Sequence, residues 1–188
     1  MSTIEAVECF ASSIISGLEN HDDTLATLCD LTMAFDCVSH EIIINKLNYY
    51  GIKGTSLDLL KNYLSERIQS VYFNGKYSDF VSVDKGVPQG SVLAPFLFIV
   101  YINDLPCNVD NNCILFAYDT TIYCTNKNNE LANMILSLDE AKEWFKANIL
   151  SLNVNKMQSI IFSLHNTIEM TNEVTLLGIK LDKRLTWE

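Results

Sequence analysis

Residues 113–123 read Cys113-Ile-Leu-Phe-Ala-Tyr-Asp-Thr-Thr-Ile-Tyr123, with an apolar run on either side of a short polar break. Ile, Leu, Phe and Tyr are common in strands, and two such runs around a tight break are typical of a β-hairpin. The break falls at residues 118–120. The pattern therefore predicts a hairpin that presents Asp119 at its tip.

A second acidic residue follows another strand-like segment. Residues 24–31, Thr-Leu-Ala-Thr-Leu-Cys-Asp-Leu, predict a strand that ends at Asp30. Taken alone, an aspartate at a strand end is more often a turn residue than a catalytic one. Two carboxylates at the ends of adjacent strands, however, form the kind of oxygen site that binds a divalent metal ion.

Helical periodicity and capping signals mark five further segments. Ser2 and Glu5 have the spacing of a capping box, and Val7, Phe10, Ala11, Ile14, Ile15 and Leu18 follow at helical intervals. Ser39 is a candidate N-cap for a helix that stops at Gly51. The predicted helices cover residues 3–18, 40–50, 56–65, 92–102 and 131–145.

The other segments predict strands and loops. Asn74-Gly75 is a strong hairpin signal between residues 69–73 and 77–83. Two more strands are predicted at 158–162 and 174–179, and Lys85-Gly-Val-Pro-Gln-Gly-Ser91 forms a loop before a helix. Without an internal repeat or linker, we predict one α+β domain over residues 1–188, an antiparallel sheet with helices packed on one face.

Composition narrows the class of protein. The chain has 48% apolar and 19% charged residues, which excludes a disordered protein. The longest apolar run, residues 92–102, is shorter than the roughly 20 residues that cross a bilayer. The first residues lack the basic flank of a secretory signal. We therefore expect an intracellular protein of the cytoplasm or nucleus, with no membrane partner.

Charge runs against a simple nucleic-acid-binding domain. The net charge is −10, whereas such domains usually carry a basic surface. Residues 1–45 contain eight acidic residues and no lysine or arginine. Any nucleic-acid contact would therefore depend on positive charge supplied from elsewhere.

Six ordered stretches together resemble the palm of reverse transcriptases from non-LTR (LINE-type, jockey-like) retrotransposons. They are Asp30-Leu-Thr-Met-Ala-Phe-Asp36, Gly86-Val-Pro-Gln-Gly-Ser-Val-Leu93, Tyr101-Ile-Asn-Asp-Leu-Pro106, Trp144-Phe-Lys-Ala-Asn148, Leu150-Ser-Leu-Asn-Val-Asn-Lys156 and Leu176-Leu-Gly-Ile-Lys-Leu-Asp182. The resemblance covers essentially the whole chain. It implies the palm of a right-hand polymerase with parts of the fingers, truncated so that upstream fingers segments and a downstream thumb are missing.

The resemblance also implies a catalytic set. Asp30 bridges two Mg²⁺ (or Mn²⁺) ions, the Leu31 carbonyl assists one of them, and Asp119 is the second member of the family's central acidic pair. Lys156 matches a lysine placed to protonate the departing pyrophosphate. Two ions holding the attacking and leaving oxygens in line are what nucleotidyl transfer requires.

Substrate contacts follow from the same resemblance. Phe35 occupies the position of an aromatic gate that excludes a 2′-hydroxyl, and Gln89 and Gly90 match a loop along the template and incoming base. The implied partners are an RNA template, a DNA primer and deoxynucleoside triphosphates. A plainer interpretation stays open for each residue: Phe35 as core, the loop as an ordinary turn, and Lys156 as a solvated charge. His21, His40 and His165 have no partner spacing, and we assign them no role.

One departure from the family pattern decides the expected activity. The family has Phe-Ala-Asp-Asp at the hairpin, and this chain has Phe116-Ala-Tyr-Asp119. Tyr118 offers a neutral phenol where the family has the carboxylate that binds metal directly. Met33 in place of a typical lysine and Met157 in place of a common threonine are smaller departures.

We therefore expect an RNA-directed DNA polymerase domain that Tyr118 has inactivated. Two alternatives remain open from the sequence. The chain is either a non-catalytic remnant that binds nucleic acid or protein, or an expressed fragment that keeps no function.

Overall fold

The computed structural model describes residues 2–126, 131–164 and 171–186, and His165 lies outside them. The chain divides into two compact units. The sheet unit comprises Met1–Thr32, Leu105–Lys146 and Ser151–Glu188, and the helical unit comprises Met33–Asp104 and Ala147–Leu150.

The elements follow one another in a mixed order along the chain. The helices are α1 (Thr3–Glu19), α2 (His40–Tyr49), α3 (Thr55–Leu64), α4 (Leu93–Ile102) and α5 (Leu131–Ala147). The strands are β1 (Asp23–Thr32), β2 (Ile68–Gln69), β3 (Tyr72–Phe73), β4 (Lys76–Tyr77), β5 (Val81–Ser82), β6 (Asn112–Phe116), β7 (Asp119–Asn126), β8 (Ser151–Leu152), β9 (Gln158–Phe162), β10 (Glu173–Leu176) and β11 (Ile179–Asp182). Short 3₁₀ helices span Ala34–Asp36, Leu105–Cys107 and Val154–Lys156.

Strand β1 is the centre of the main sheet. The order is β6-β7-β1, and β8 and β9 both pair with β1 as well, all antiparallel. Consecutive residues of β1 from Thr24 to Thr27 are buried, so both faces of this strand are covered. The continuous apolar and threonine-rich run of the sequence suits a strand that has neighbours on both edges.

Helix α1 packs on one face of this sheet. The Ser2–Glu5 capping box is present, and Val7, Phe10 and Ile14 are buried as the periodicity predicts. The Phe10 ring meets the rings of Tyr123 and Phe162 edge-on, at 5.2 and 5.8 Å between centroids. Such aromatic contacts add to the apolar area that holds a helix on a sheet. Ile15, which also falls at a helical interval in the sequence, is exposed.

The last predicted strand, residues 174–179, is instead the hairpin of β10 and β11. Leu176 pairs with Ile179, which leaves Leu177 and Gly178 as a two-residue turn. Both turn residues have positive φ, 49° and 86°, as in the tight hairpin turns that match the right-handed twist of the flanking strands. The sequence signal was weak because leucine, not asparagine, stands before the glycine.

The helical unit begins its helices close to the predicted positions. Ser39 caps α2 by accepting from the Ile42 backbone N–H, and Gly51 ends the helix at a φ of 92°. Helix α3 starts one residue before the expected Ser56, with Gly54 at its N-cap. The hairpin of β3 and β4 turns at Asn74-Gly75, where both residues have positive φ, as predicted.

A half-buried lysine joins two helices of this unit. Lys46 on α2 donates from Nζ to the Tyr101 carbonyl at 2.7 Å and to Asp104 Oδ1 at 2.6 Å. Burial lowers the pKa of Lys46, and the bond to Asp104 partly offsets that effect. Since the Tyr101 carbonyl belongs to the last turn of α4, the cation also sits where a helix favours positive charge.

The α+β class and the antiparallel sheet are confirmed. Among the described residues, no helix combines the length and apolar character needed to cross a membrane.

Gly86 allows a close approach between two backbone segments of the helical unit. Its N–H donates to the Val38 carbonyl at 2.7 Å, and its φ is +83°. A Cβ on Gly86 would lie 2.9 Å from both the Cα and the carbonyl oxygen of Asp36. Gly90 has a similar φ of +84°, but nothing lies within 4 Å of its Cβ position.

These two glycines make a matched pair for a stability measurement. We expect Gly90→Ala to cost about 1 kcal/mol from left-handed backbone strain, and Gly86→Ala about 3 kcal/mol because overpacking is added. Urea unfolding of both variants measures the difference. Equal costs would contradict the close approach of Gly86 to Asp36.

Candidate active site

Asp30 and Asp119 are direct partners across two neighbouring strands. Asp30 of β1 lies opposite Asp119 of β7, and cross-strand partners in an antiparallel pair project on the same face. Asp119 also pairs with Phe116 of β6. The sequence predicted that the two carboxylates lie at the ends of adjacent strands. The strand register places them side by side.

The positions of both residues within their strands differ from the prediction. The hairpin turn is Ala117-Tyr118, and Asp119 is the first residue of β7 rather than the tip. Ala117 supplies the positive φ of 52° that the two-residue turn needs. Strand β1 continues to Thr32, past the expected end at Asp30, because β8 pairs with Leu31 and Thr32.

Lys156 lies close to this pair because the turn that carries it is hydrogen-bonded to the backbone of Asp30. The Asn153 N–H donates to the Asp30 carbonyl at 2.8 Å, and the 3₁₀ turn that follows ends at Lys156. Lys156 Nζ then lies 3.0 Å from Asp30 Oδ2. The lysine side chain is 69% exposed and the aspartate 18%, so water reaches the ammonium more than the carboxylate.

The three residues face one cleft of about 470 Å³. Tyr118 lines it beside Asp119, with its side chain nearly half exposed. The rest of the wall consists of Leu28, Cys29, Thr120, Thr121, Asn155, Gln158 and residues 175–177. The cleft is therefore open to solvent and large enough for a phosphate-bearing ligand.

Electrostatics within the cleft is unfavourable to a second negative charge. Burial raises the pKa of Asp119, the neighbouring Asp30 carboxylate raises it further, and Lys156 acts in the opposite direction. Two like charges side by side favour either a proton or a cation between them. One lysine at the edge of the cleft only partly fulfils that need.

The oxygen donors present suit a single Mg²⁺ better than a complete two-ion site. Mg²⁺ is held by one or two carboxylates and keeps several waters, which Asp30 and Asp119 can satisfy. Within the described ranges, no group of three or more His, Cys, Asp or Glu side chains is placed to hold a metal ion. The third carboxylate that the resemblance leads one to expect is the one that Tyr118 replaces.

Three of the remaining predicted site residues, Phe35, Gln89 and Gly90, belong to the helical unit. Phe35 is half-buried, with its ring 4.8 Å from that of Phe98 on α4, so packing explains part of its presence. Gln89 and Gly90 are exposed in the loop before α4. Leu31, in the sheet unit, is buried in β1.

Two residues without a predicted role also contact this loop. Asp36 accepts hydrogen bonds from the Gln89 amide, and His40 Nε2 donates to the Gly86 carbonyl at 2.8 Å. No local spacing relates His40 to Gly86, which lies 46 residues away, so only the fold reveals that contact. Asp36 and Gln89 both stand in motifs of the sequence, but no spacing relates these two residues, which lie 53 positions apart.

A family model described as reverse transcriptase (RNA-dependent DNA polymerase) matches residues 4–181. The chain belongs to the reverse transcriptase family. The acidic pair, the lysine and the glycine loop thus lie within a match that covers nearly all of the sequence.

Curated relatives of this reverse transcriptase chain come from mobile elements. It is 32% identical to the probable RNA-directed DNA polymerase from transposon BS of Drosophila melanogaster, over 99% of this chain and 23% of the relative. It is 27% identical to the polymerase from mobile element jockey of the same species, over 98% of this chain and 22% of the relative. The predicted relation to non-LTR elements is confirmed, and the chain spans under a quarter of these relatives.

Solved structures confirm the right-hand polymerase fold. Apo telomerase from Candida tropicalis, truncated from its C-terminal domain, matches with a TM-score of 0.73. The sequences are 14% identical, and the match covers 100% of this chain and 39% of that one. At such low identity the likeness concerns the fold alone.

The raised pKa of Asp119 gives a signed prediction for stability. Because the folded pKa lies above the ordinary 3.8, the folded state holds the proton more tightly, and stability falls as pH rises through this range. We expect Asp119→Asn to raise the thermal midpoint at pH 7, and to lose that advantage at pH values below the pKa of the unfolded carboxyl.

Two variants control this measurement. Lys156→Met removes the ammonium that lowers the pKa of Asp119, so it should lower the midpoint at pH 7 more than in acid. Asp79→Asn removes an exposed carboxylate from the helical unit and should change neither. A midpoint of Asp119→Asn that stays below that of the unmodified chain at pH 7 would contradict the electrostatic account.

Proposed function

We propose that this chain is the RNA-directed DNA polymerase domain of a non-LTR retrotransposon, carrying a nucleotidyl-transfer site that Tyr118 has silenced. The observation that carries the proposal is the direct pairing of Asp30 with Asp119, beside Lys156, in a chain of the reverse transcriptase family. Its substrates would be an RNA template, a DNA primer and deoxynucleoside triphosphates.

Asp30 and Asp119 would hold the Mg²⁺ or Mn²⁺ of the reaction, with the Leu31 carbonyl as a further oxygen. When bound, the ion supplies charge stabilisation to the oxygens of the transferring phosphate. The support is the raised pKa of Asp119, which results first from burial and then from repulsion by the Asp30 carboxylate. A bound cation would relieve that repulsion.

Lys156 would act as the proton donor to the leaving pyrophosphate. Its ammonium lies 3.0 Å from Asp30 and is mostly exposed, so it reaches the cleft while its position is restrained. A positioned lysine contributes both a proton and a positive charge next to developing negative charge.

Phe35, Gln89 and Gly90 would contact the nucleotide and template. Phe35 is only half-buried against Phe98, which leaves part of its ring available to a sugar. Gly90 leaves open space around its backbone, so a base or sugar can approach closely.

Tyr118 would make the site a poor catalyst. Its side chain lies in the cleft next to Asp119, where it presents a ring and one phenolic oxygen in place of a carboxylate. Losing one of the carboxylates that hold the metal removes several kcal/mol of transition-state stabilisation, or roughly 10³-fold in rate.

The alternative of a nucleic-acid-binding remnant receives less support. Phosphate neutralisation by lysine and arginine dominates affinity for nucleic acid, and this chain has 13 such residues against 23 acidic ones. Retention of a primer-template by the chain at low salt, without extension, would favour that alternative.

Primer extension on an RNA template tests the proposal. We expect Tyr118→Asp to extend the primer roughly 10³-fold faster than the unmodified chain, because it restores a carboxylate ligand. Tyr118→Phe is the matched control, since it keeps the ring and adds no charge. Asp30→Ala in the Tyr118→Asp background should abolish extension.

Each outcome separates one part of the proposal from another. Extension by the unmodified chain would refute inactivation and require a site built on Asp30 and Asp119 alone. Silence from all variants would contradict the assignment of polymerase activity to this chain.

Metal binding is measurable without any turnover. We expect Mn²⁺ to bind the unmodified chain through Asp30 and Asp119, and roughly tenfold more tightly to Tyr118→Asp because the ligand charge increases. Titration followed by electron paramagnetic resonance gives both affinities, with Asp30→Asn as the loss variant and Asp79→Asn as the control. Binding that Asp30→Asn leaves unchanged would place the ion elsewhere.

A further inference from the structure

The side chain of Gln89 is held by Asp36. Gln89 Nε2 lies 3.1 Å from Asp36 Oδ1 and 3.2 Å from Oδ2, so one amide group faces both carboxylate oxygens. Both residues belong to the helical unit and both are exposed. The contact therefore forms at a surface open to ligands, where burial does not enforce it.

Backbone hydrogen bonds connect the two segments that carry Asp36 and Gln89. The Gly86 N–H donates to the Val38 carbonyl at 2.7 Å, and the Val87 N–H donates to the Phe35 carbonyl at 2.8 Å. Beside these two hydrogen bonds, Ser39 and Lys85 form an isolated antiparallel bridge. The close approach of Gly86 to Asp36 fixes the spacing of the two segments.

The Gly86 carbonyl is held from two directions. His40 Nε2 and Arg67 Nη1 each donate to it at 2.8 Å. With both lone pairs of that carbonyl occupied, the loop has little freedom to rotate at its start. Asp36 then fixes the side chain three residues further along.

A carboxylate is a specific kind of partner for an amide. When ionised it only accepts hydrogen bonds, so it selects the NH₂ end of Gln89 and turns the carbonyl Oε1 away. An asparagine at position 36 would accept either end of the amide, because it carries both a donor and an acceptor. The acidic residue therefore determines which group Gln89 presents to the open side of the loop.

We propose that Asp36 is a positioning residue that orients the Gln89 amide so that Oε1 is presented as a hydrogen-bond acceptor to an incoming nucleotide. The nucleotide as ligand rests on the proposed function. The orientation of the amide does not, since it follows from contacts within the helical unit alone.

If Asp36 had only a structural role, its removal would lower the unfolding midpoint and leave the affinity for nucleotide unchanged. The proposal predicts the opposite for both measurements. Hydrogen bonds between exposed groups contribute little to stability, so removing this one should hardly change the unfolding midpoint. What changes, on our proposal, is the state of the Gln89 side chain and the affinity of the loop for nucleotide.

The side-chain NH₂ signals of Gln89 in a ¹H–¹⁵N spectrum report its orientation directly. Gln89→Ala identifies the pair of signals by their loss. We expect Asp36→Ala and Asp36→Asn to shift this pair, Asp36→Glu to restore most of its position, and the control Asp79→Ala to leave it in place. A Gln89 pair that Asp36→Ala does not move would overturn the orientation claim.

Titration with a deoxynucleoside triphosphate and Mg²⁺ then tests the role of that orientation. We expect the Gln89 signals to shift on titration, with roughly three- to tenfold weaker affinity in Asp36→Asn than in the unmodified chain and partial rescue by Asp36→Glu. Equal affinities, or loop signals that no nucleotide moves, would overturn the positioning role.

Running the same variants in the Tyr118→Asp background keeps the two proposals apart. Extension by Tyr118→Asp together with an unresponsive Gln89 supports the polymerase and refutes the role of Asp36. Gln89 signals that shift with nucleotide and depend on Asp36, in a chain that does not extend the primer, support the role of Asp36 and refute the polymerase.

Discussion

The register between β1 and β7 is the constraint on which the rest of the site depends. A strand has a side-chain period of two, so a slip of one residue would send Asp30 and Asp119 to opposite faces. The eight-residue pairing from Asp23 to Asp30 fixes that register, and β9 holds the other edge of the same strand. The relative position of the two carboxylates is thus determined mainly by backbone pairing along β1 and β7. The turn at Ala117-Tyr118 determines only where β7 begins.

The sequence predicted the elements better than their edges. Runs of strong pattern, such as residues 158–162 and the Asn74-Gly75 hairpin, were placed correctly because propensity and turn chemistry agree there. The turn at Ala117-Tyr118 was missed by one residue, since neither alanine nor tyrosine is a usual turn residue. Residues 174–179 were joined into one strand because Leu177 stands in a turn that favours asparagine or glycine.

The candidate site shows the same division. Asp30 and Lys156 were identified from ordered motifs and Asp119 from the hairpin pattern, and the structure brings all three to one cleft. Contacts that join distant segments, such as those of His40 and Asp36 with the loop, leave no periodicity in the sequence. They arise where two pieces of chain pack, and that information lies in the fold.

The strand pairing also bears on how the chain reaches its folded state. Asp30 and Asp119 are about 90 residues apart, and the chain between them includes most of the helical unit. Closing so long a loop costs conformational entropy that grows with its length, by about 0.6 kcal/mol for each doubling. Contacts between residues far apart in the sequence slow folding, because the entropy of loop closure is lost before the strand pairing contributes favourable free energy. Early collapse of the intervening helices would shorten the effective loop, so the speed with which the central sheet closes depends on residues that contribute nothing to its strands.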